Sequence, residues 1–170
     1  VGDTARAINS FQEATELNPD LIDAWINLGQ LQAALGNDIA ERYFNTALAI
    51  QPGNVEALHA LADYLTDQDR LTEAIELYRR IATIDPQYEE AYYNAGLLYM
   101  ELDSVQQAYR QFDLAIKTYP LHIRAYFYRG LAAEFMGRPE QARADYQQAL
   151  QLAPDYELAK EQLRGLENVN

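Results

Sequence analysis

Apolar residues recur along the chain three or four places apart, in stretches that alternate with short polar turns. Each stretch covers roughly 13–15 residues, and this spacing is the period of an amphipathic α-helix rather than that of a strand. Turn-forming residues separate the stretches at four places: Gly36-Asn37, Asp67 to Asp69, Asp103-Ser104 and Gly137-Arg138-Pro139. The pattern therefore predicts an all-α chain of short helices joined by tight turns.

Prolines divide this helical pattern into nearly equal intervals. Five of the six prolines lie 33, 34, 34 and 34 residues apart: Pro19, Pro52, Pro86, Pro120 and Pro154. Proline ends one helix and turns the chain into the next, so each interval holds two helices. A fixed period of this length is typical of a stack of repeated helix pairs.

Other residues keep phase with the prolines. An alanine stands twelve residues before each of them, an aromatic residue eight before, and a small or aliphatic residue five before. In that order the three sets are Ala7, Ala40, Ala74, Ala108 and Ala142; Phe11, Phe44, Tyr78, Phe112 and Tyr146; and Ala14, Ala47, Ile81, Ala115 and Ala149. A large residue stands six places after each of the first four of these prolines, and a small residue stands four places after the large one: Trp25 and Gly29, Leu58 and Ala62, Tyr92 and Gly96, Tyr126 and Gly130. Small residues let paired helices approach closely, and the aromatic residues fill the remaining space.

These positions resemble the tetratricopeptide repeat family, whose pattern is W-x2-L-G-x2-Y, then A-x3-F, then A, then P. The resemblance covers nearly the whole chain. It departs at Gln32, which replaces an aromatic residue, at the bulky Ile81, and in the first full repeat, which is one residue short in the turn around Gly36 and Asn37. The resemblance implies a right-handed α-solenoid of antiparallel helix pairs, each made of a helix A followed by a helix B.

The repeat phase predicts the organisation of the chain. We expect an incomplete leading repeat that holds only a helix B, four full repeats and a capping helix: 1–19, 20–53, 54–87, 88–121, 122–154 and 155–170. Lys160 and Arg164 stand where another packed helix would require apolar or small residues, so the last helix is predicted to end the array. Asp20, Asn54 and Asp155 are predicted helix N-caps, and Pro139 suits a first helical turn.

The resemblance also implies a peptide-binding groove lined by one face of each helix A. Carried over residue by residue, the predicted peptide-binding residues are Asp23, Ile26, Asn27, Gln30, Glu56, His59, Asp63, Glu90, Tyr93, Asn94, Leu97, Arg124, Phe127, Tyr128 and Leu131. The first half of this set is polar and acidic, and the second half is aromatic and aliphatic. We therefore expect a protein or peptide partner that carries apolar residues together with Lys or Arg.

Some of these side chains could instead pack on adjacent helices and bind nothing. The groove hypothesis expects Tyr93→Ala and Phe127→Ala to weaken binding without unfolding the array. Asn27 and Asn94 share a repeat position and resemble part of the asparagine ladder of the O-linked N-acetylglucosamine transferase. The lysines and asparagines of the co-chaperone carboxylate clamp are absent from the matching positions.

Composition argues against most other functions. The chain has 26 Asp and Glu against 13 Lys and Arg, and its net charge of −13 argues against binding to nucleic acid. It has no cysteine and two histidines, and no phosphate-binding or nucleophile motif occurs. Glu56, His59 and Asp63 share a helix face but do not make a closed metal site. We expect no catalytic residues, no metal site and no cofactor, and we expect His122 to be an exposed loop residue.

Two other functions remain open from the sequence. The chain could self-associate through the uncovered face of its first helix, around Ile8 and Phe11. It could also be an accessory domain of a larger enzyme. No apolar run is long enough to cross a membrane, and the composition leaves the compartment open between cytoplasm and periplasm.

Overall fold

The structure of the protein, a computed structural model, describes residues 2–168. Over that range the chain forms ten α-helices and no strand, which confirms the all-α prediction. The helices are α1 (Gly2–Leu17), α2 (Ile22–Ala34), α3 (Ile39–Ile50), α4 (Val55–Asp67), α5 (Leu71–Ile84), α6 (Glu89–Glu101), α7 (Val105–Thr118), α8 (Ile123–Phe135), α9 (Pro139–Leu152) and α10 (Glu157–Asn168). None of these helices is both long and apolar enough to cross a bilayer.

The helices pack as antiparallel pairs within two compact units, Val1–Asp85 and Pro86–Asn170. In the first unit α2 pairs with α3 and α4 with α5, while α1 packs on α2 and α3 packs on α4. In the second unit α6 pairs with α7 and α8 with α9, while α7 packs on α8 and α10 packs on α9. The even-numbered helices therefore correspond to helix A of the predicted repeat, and the odd-numbered ones correspond to helix B.

Each full pair is closed by an aromatic ring of helix B that lies against a small residue of helix A. A Cβ atom built on Gly29 would lie 2.4 Å from the Phe44 ring, far inside any real side-chain contact. The same close approach recurs in the second unit, at 2.6 Å for Gly96 and Phe112 and at 2.7 Å for Gly130 and Tyr146. These three rings are at most 1% exposed. The small residue and the ring together fix the distance between the two helices.

The four corners between helix A and helix B share one backbone conformation. A residue with positive φ follows each helix A: Gly36 (71°), Asp69 (59°), Asp103 (52°) and Gly137 (69°). The next amide N–H donates to a carbonyl five residues back, as in the Asn37 to Gln32 and Arg70 to Leu65 bonds of 2.9 Å. Such closure satisfies the last carbonyls of the helix, and glycine or aspartate tolerates the left-handed backbone at that point.

The first full repeat is shortened just after its corner. Eight residues separate Gly36 from the buried ring of Phe44, whereas nine separate Asp69 from the ring of Tyr78. Helix α3 begins five residues before its ring and α5 begins seven before, because one residue is missing and Asp38 lies in the turn ahead of α3. The missing residue is therefore taken from the start of helix B, and the contact between the helices is unchanged.

The corners between helix B and the next helix A are tied through the proline carbonyls. The indole Nε1 of Trp25 donates to the Pro19 carbonyl at 2.8 Å, and the Tyr92 hydroxyl donates to that of Pro86 at 3.4 Å. Leu58 stands at the equivalent position of the second repeat and has no donor. There Arg80 supplies the bond instead, with its Nη2 3.1 Å from the Pro52 carbonyl.

The helix starts confirm two of the four predictions made for them and correct the other two. The Asn54 side chain accepts a bond from the Ala57 amide at 2.8 Å, and α9 begins at Pro139, both as predicted. The predictions for Asp20 and Asp155 are wrong, since α2 and α10 begin two residues after them.

His122 is not the exposed loop residue that we expected. It is the half-buried N-cap of α8, and its Nδ1 accepts the Ala125 amide at 3.1 Å. Burial lowers the pKa of His122 despite the nearby carboxylates of Glu89 and Glu90. The imidazole therefore tends to stay neutral, with Nδ1 free of a proton and able to cap the helix.

A half-buried arginine joins three helices of the second unit. Arg129 on α8 donates through Nε and Nη2 to Asp145 on α9, at 2.9 and 2.5 Å, and through Nη1 to Asp113 on α7, at 2.7 Å. Its guanidinium also lies within 6 Å of the rings of Tyr109 and Tyr126. Burial disfavours the charged guanidinium, but the bonds and charge of Asp145 outweigh burial and raise the pKa of Arg129. The space between α7 and α9 is thus filled by the Arg129 guanidinium, which is paired with the carboxylates of Asp113 and Asp145.

Replacement of Gly96 by alanine tests the contact between ring and small residue. The added methyl group meets the Phe112 ring, which is itself stacked on Tyr128 at a centroid distance of 5.7 Å and has little room to move. We expect Gly96→Ala to lower the free energy of unfolding by about 1–3 kcal/mol in urea denaturation.

Gly165→Ala is the matched control, because a Cβ on that helical glycine meets nothing within 4 Å. It should leave stability unchanged or raise it by up to about 1 kcal/mol, from helix propensity alone. Equal effects of the two substitutions would show that the ring does not set the helix spacing.

Candidate functional site

The predicted binding residues of the first unit lie on α2 and α4, and all but one reach solvent. Asp23, Gln30, Glu56 and Asp63 are exposed, and Asn27 and His59 are half-buried. We call these six residues the acidic face. Ile26 is a correction: it is 0% exposed and packs with Ala47 and Ala57 in the core between the helices. Its side chain turns inward against these neighbours and cannot line a groove.

Asp63 is the centre of a hydrogen-bonded group on the acidic face. The Tyr78 hydroxyl donates to its Oδ1 at 2.5 Å, and His59 Nδ1 lies 3.3 Å from its Oδ2. The imidazole meets the Tyr78 ring edge-on, at a centroid distance of 5.6 Å. Burial alone would raise the pKa of Asp63, but the bonds from His59 and Tyr78 outweigh burial and lower it. Asp63 is therefore a fixed negative charge at neutral pH, with one side open to solvent.

Sequence reasoning missed the part that Tyr78 plays in this group. Tyr78 was assigned to the core from its repeat phase, and its ring is indeed buried. The available signal was the choice of tyrosine rather than phenylalanine at a core position, because a buried hydroxyl requires a partner. Tyr146 follows the same rule in the second unit, where its hydroxyl donates to Glu134 Oε2 at 2.9 Å.

The two asparagines of the predicted ladder are both half-buried. The Asn27 side-chain amide donates to the Asp23 carbonyl of its own helix at 2.6 Å. One of its N–H groups is thus committed within α2. Its carbonyl oxygen and second N–H keep their capacity for a ligand.

Two predicted binding residues of the second unit are core residues, and our expectation for them is wrong. Tyr93 is 6% exposed and Phe127 is 5% exposed. The Tyr93 ring lies 4.7 Å from that of His122, and the Phe127 ring lies 5.3 Å from that of Tyr156. Truncating either ring would open a core cavity and cost about 3–5 kcal/mol. Alanine substitution there reports on folding rather than on binding.

The solvent-facing residues of this region are the remaining members of the predicted set. Asn94, Leu97, Tyr128 and Leu131 are half-buried on α6 and α8, and Glu90 and Arg124 are exposed beside them. We call these six residues the apolar face. The Arg124 guanidinium lies 5.5 Å from the centroid of the Tyr93 ring, within cation–π range. The apolar face thus combines aliphatic and aromatic surface with one cation and one anion.

The Tyr93 hydroxyl is buried and has no hydrogen-bond partner among the residues that the structure describes. Burial raises the pKa of Tyr93 to about 12, although the charge of Arg124 opposes the shift. The phenol therefore keeps its proton and stays neutral at physiological pH.

The arrangement of these side chains suits binding better than catalysis. Over residues 2–168, no group of three His, Asp and Glu side chains is placed to hold a metal ion. The hydrogen-bonded group at Asp63 consists of a carboxylate held by a core tyrosine and a histidine. What both faces offer to solvent is charge and apolar area on rigid helices.

Replacement of Tyr78 by phenylalanine tests how Asp63 is held. The variant loses the hydroxyl that favours the charged carboxylate, so the pKa of Asp63 should rise, as measured by carboxyl-carbon NMR titration. Because the folded-state pKa is depressed, this stabilisation is present at neutral pH and is lost as pH falls through that value. We therefore expect a loss of about 1 kcal/mol at pH 7 that shrinks in acid.

Tyr93→Phe is the matched control, since it removes a buried hydroxyl that bonds to none of the described residues. It should be neutral or stabilising at every pH, because the polar oxygen leaves an apolar site without breaking a bond. If Tyr78→Phe is as harmless as Tyr93→Phe and leaves the Asp63 titration in place, the bond to Asp63 has no effect on stability.

Family models match most of the chain. Models described as Tetratricopeptide repeat match residues 123–156 and 90–122, and a model described as TPR repeat matches residues 2–36 and 62–103. The human Protein O-mannosyl-transferase TMTC1 is 30% identical over 96% of this chain, and human Tetratricopeptide repeat protein 6 is 28% identical over 94%. This chain spans only 19% and 31% of those two proteins.

Solved structures share the fold over almost the full length. The crystal structure of MamA matches with a TM-score of 0.81 and 25% identity, over 89% of each chain. The structure of YrrB, described as a TPR protein with an unusual peptide-binding site, matches with a TM-score of 0.80 and 21% identity. That match covers 96% of this chain and 85% of YrrB.

Proposed function

Because the chain belongs to the tetratricopeptide repeat family, we propose that it is a non-catalytic scaffold that binds a segment of a partner protein on its helix-A faces. The fold and the family are those of protein-interaction scaffolds. The observation that carries the finer proposal is the exposure of the predicted binding side chains on the A helices. Once Ile26, Tyr93 and Phe127 are assigned to the core, the remaining predicted residues still reach solvent on α2, α4, α6 and α8.

The acidic face supports a partner that carries Lys or Arg. Asp23, Glu56 and Asp63 all expose carboxylates, and none of the other residues of that face is a lysine or arginine. The lowered pKa of Asp63 keeps its charge through the physiological range. A basic side chain on this face would gain favourable Coulomb energy, screened as salt is raised.

The apolar face supports a partner with aliphatic or aromatic anchors. Leu97, Tyr128 and Leu131 each present part of their surface to solvent while their remaining atoms pack inward. Such anchored side chains lose little entropy when a ligand covers them, and binding energy tends to concentrate on surfaces of this kind. YrrB, which has the same fold, is itself described as having a peptide-binding site.

The affinity of partners captured from a lysate tests this proposal. We expect Leu97→Gln combined with Leu131→Gln to weaken capture of a wild-type partner about tenfold or more, since each loses apolar contact area. Capture would be quantified by mass spectrometry, and unchanged thermal melting would show that the variant is folded.

Leu114→Gln is the matched control, because Leu114 is an exposed leucine on α7, a B helix. It should capture the same partner as the wild type. Loss of capture in the control with retention in the double variant would place binding off the helix-A faces and overturn the proposal.

A second candidate function is association with another protein chain through α1, and one observation favours a surface that packs on that helix. Phe11 of α1 is half-buried, whereas the ring at the equivalent position of every other B helix is at most 2% exposed. Helix α10 of a second copy is a poor packing partner for α1. In α10, Arg164 stands at the repeat position where Gly29 leaves room for the ring of Phe44, so the ring of Phe11 would meet a long side chain there. Light scattering over a concentration series tests self-association, and a constant monomer mass would exclude it.

A third possibility is that the chain serves a catalytic domain elsewhere in a longer polypeptide. TMTC1 is named as a mannosyl-transferase, and this chain matches only a fifth of it. In that case the helix-A faces would act as the substrate-recruiting or partner-recruiting surface of the enzyme. The same substitutions on the apolar face would then reduce recruitment rather than the chemical step.

A further inference from the structure

The B helices of the first unit border an open cleft that the helix-A faces do not include. The cleft lies between α3 and α5 and has a volume of about 450 Å³. Its floor is formed by Leu61 and Leu65 of α4, with Leu77 of α5 beside them. Its rim carries Glu41 and Asn45 from α3 and Thr72, Glu73, Glu76 and Arg80 from α5. The cleft thus has an apolar floor, and three of the six residues on its rim are glutamates.

Arginines brace the two ends of the cleft. At one end Arg70 Nη1 donates to Glu41 Oε2 on α3 at 2.6 Å, and its Nε and Nη2 donate to both oxygens of Glu73 at 2.7 Å. At the other end Arg80 donates to the Pro52 carbonyl, in the corner that follows α3. These bonds tie α5 to α3 and to its corner without filling the space between the helices. The cleft is therefore held open by the structure.

The second unit shows what fills the same place elsewhere in this chain. Arg129 stands three residues after the large residue of its helix A, as Leu61 does in α4. Asp113 follows the buried ring of its B helix as Asn45 does, and Asp145 precedes its ring as Leu77 does. In the second unit these positions form the Arg129 network between α7 and α9. In the first unit the matching positions line the open cleft.

We propose that the cleft between α3 and α5 is a binding site for an arginine side chain of a partner protein. The guanidinium that Arg129 supplies from within the second unit is supplied in the first unit by a second molecule. Leu61 is too short and too apolar to take that place. The proposal goes beyond the proposed function, since the cleft lies on the B helices and not on the helix-A faces.

The chemistry of the cleft matches both parts of an arginine. The three methylenes of the side chain would cover Leu61, Leu65 and Leu77, whose apolar surface forms the floor. The planar guanidinium would then reach the rim, where carboxylates and an amide oxygen can accept its N–H groups. Asn45 contributes that amide, at the position where Asp113 binds Arg129 in the second unit.

Glu76 is the rim carboxylate most available to the arginine of a partner protein. Glu41 and Glu73 are held by Arg70. Glu76 pairs with Arg79, three residues along α5, at 2.6 Å, and both of those side chains are more than 60% exposed. An exposed pair one helical turn apart contributes little stability and exchanges readily. The whole first unit carries 14 acidic residues against 5 basic ones, so its field also favours a cationic guest.

Methyl NMR with a matched pair of peptides tests the proposal. The probes are Ac-Ser-Leu-Arg-Leu-Ser-NH2 and the same peptide with citrulline, which keeps the shape of arginine but not its charge. We expect the arginine peptide to shift the methyl signals of Leu61, Leu65 and Leu77 saturably. The citrulline peptide should bind at least about fivefold more weakly. Absence of saturable shifts at these leucines, or equal affinity of the two peptides, would overturn the proposal.

Two substitutions to arginine complete the experiment. Asn45→Arg places a guanidinium in the cleft from its exposed wall, and it should abolish the leucine shifts by occupying the site from within. Gln147→Arg is the control, because Gln147 is exposed and follows its ring on α9 as Asn45 does on α3. It should bind the peptide like the wild type. In backbone amide NMR spectra of the same samples, shifts confined to α2 and α4 residues of the acidic face, such as Asn27 and Asp63, would also contradict binding in the cleft.

Discussion

The packing of one ring against one small residue is the contact on which the rest of this structure depends. Because Gly29, Gly96 and Gly130 have no Cβ, the rings of Phe44, Phe112 and Tyr146 enter the space where a side chain would otherwise stand. This brings the two helices of a pair close enough for the alanines beside the rings to pack without exposed area. The outward faces of the A helices are a consequence, since residues that cannot turn inward must face solvent. The exposed face and the core are thus set by the same helical phase.

The sequence predicted the repeat architecture well because the contact between ring and small residue uses residue types that recur in phase. Glycine or alanine, an aromatic residue and proline at fixed intervals identify the pairs and corners, and a positive-φ residue occurs at each predicted corner. Exposure within the predicted face was harder to predict. Ile26, Tyr93 and Phe127 share one repeat position with His59, yet three are buried and the histidine is half-buried. The outcome depends on which neighbouring rings meet the side chain, such as His122 against Tyr93, and those contacts are not encoded in the spacing.

Polar groups of the core were the least predictable part. Arg129 occupies a position that is leucine in two of the other repeats, and only the three-dimensional meeting of Asp113 and Asp145 explains why a charge is tolerated there. Tyr78 and Tyr146 similarly carry hydroxyls that find carboxylates on the paired helix. Each case depends on two residues from different helices, so no single segment reveals it. Arginine supplies most of the cationic charge of this chain, and its planar, multidentate guanidinium can join elements that lysine would contact at one point.

The shortened start of α3 shows where this molecule can change its length. Helix pairing is fixed by the ring at one point and by the left-handed corner at another, and the residues between them only connect the two. Loss of one residue there removed part of a first helical turn and left both anchor points in place. A lineage of such proteins can therefore accumulate insertions and deletions at this junction without passing through a misfolded ancestor. The same junction is a natural place to splice in a loop that carries a new recognition sequence.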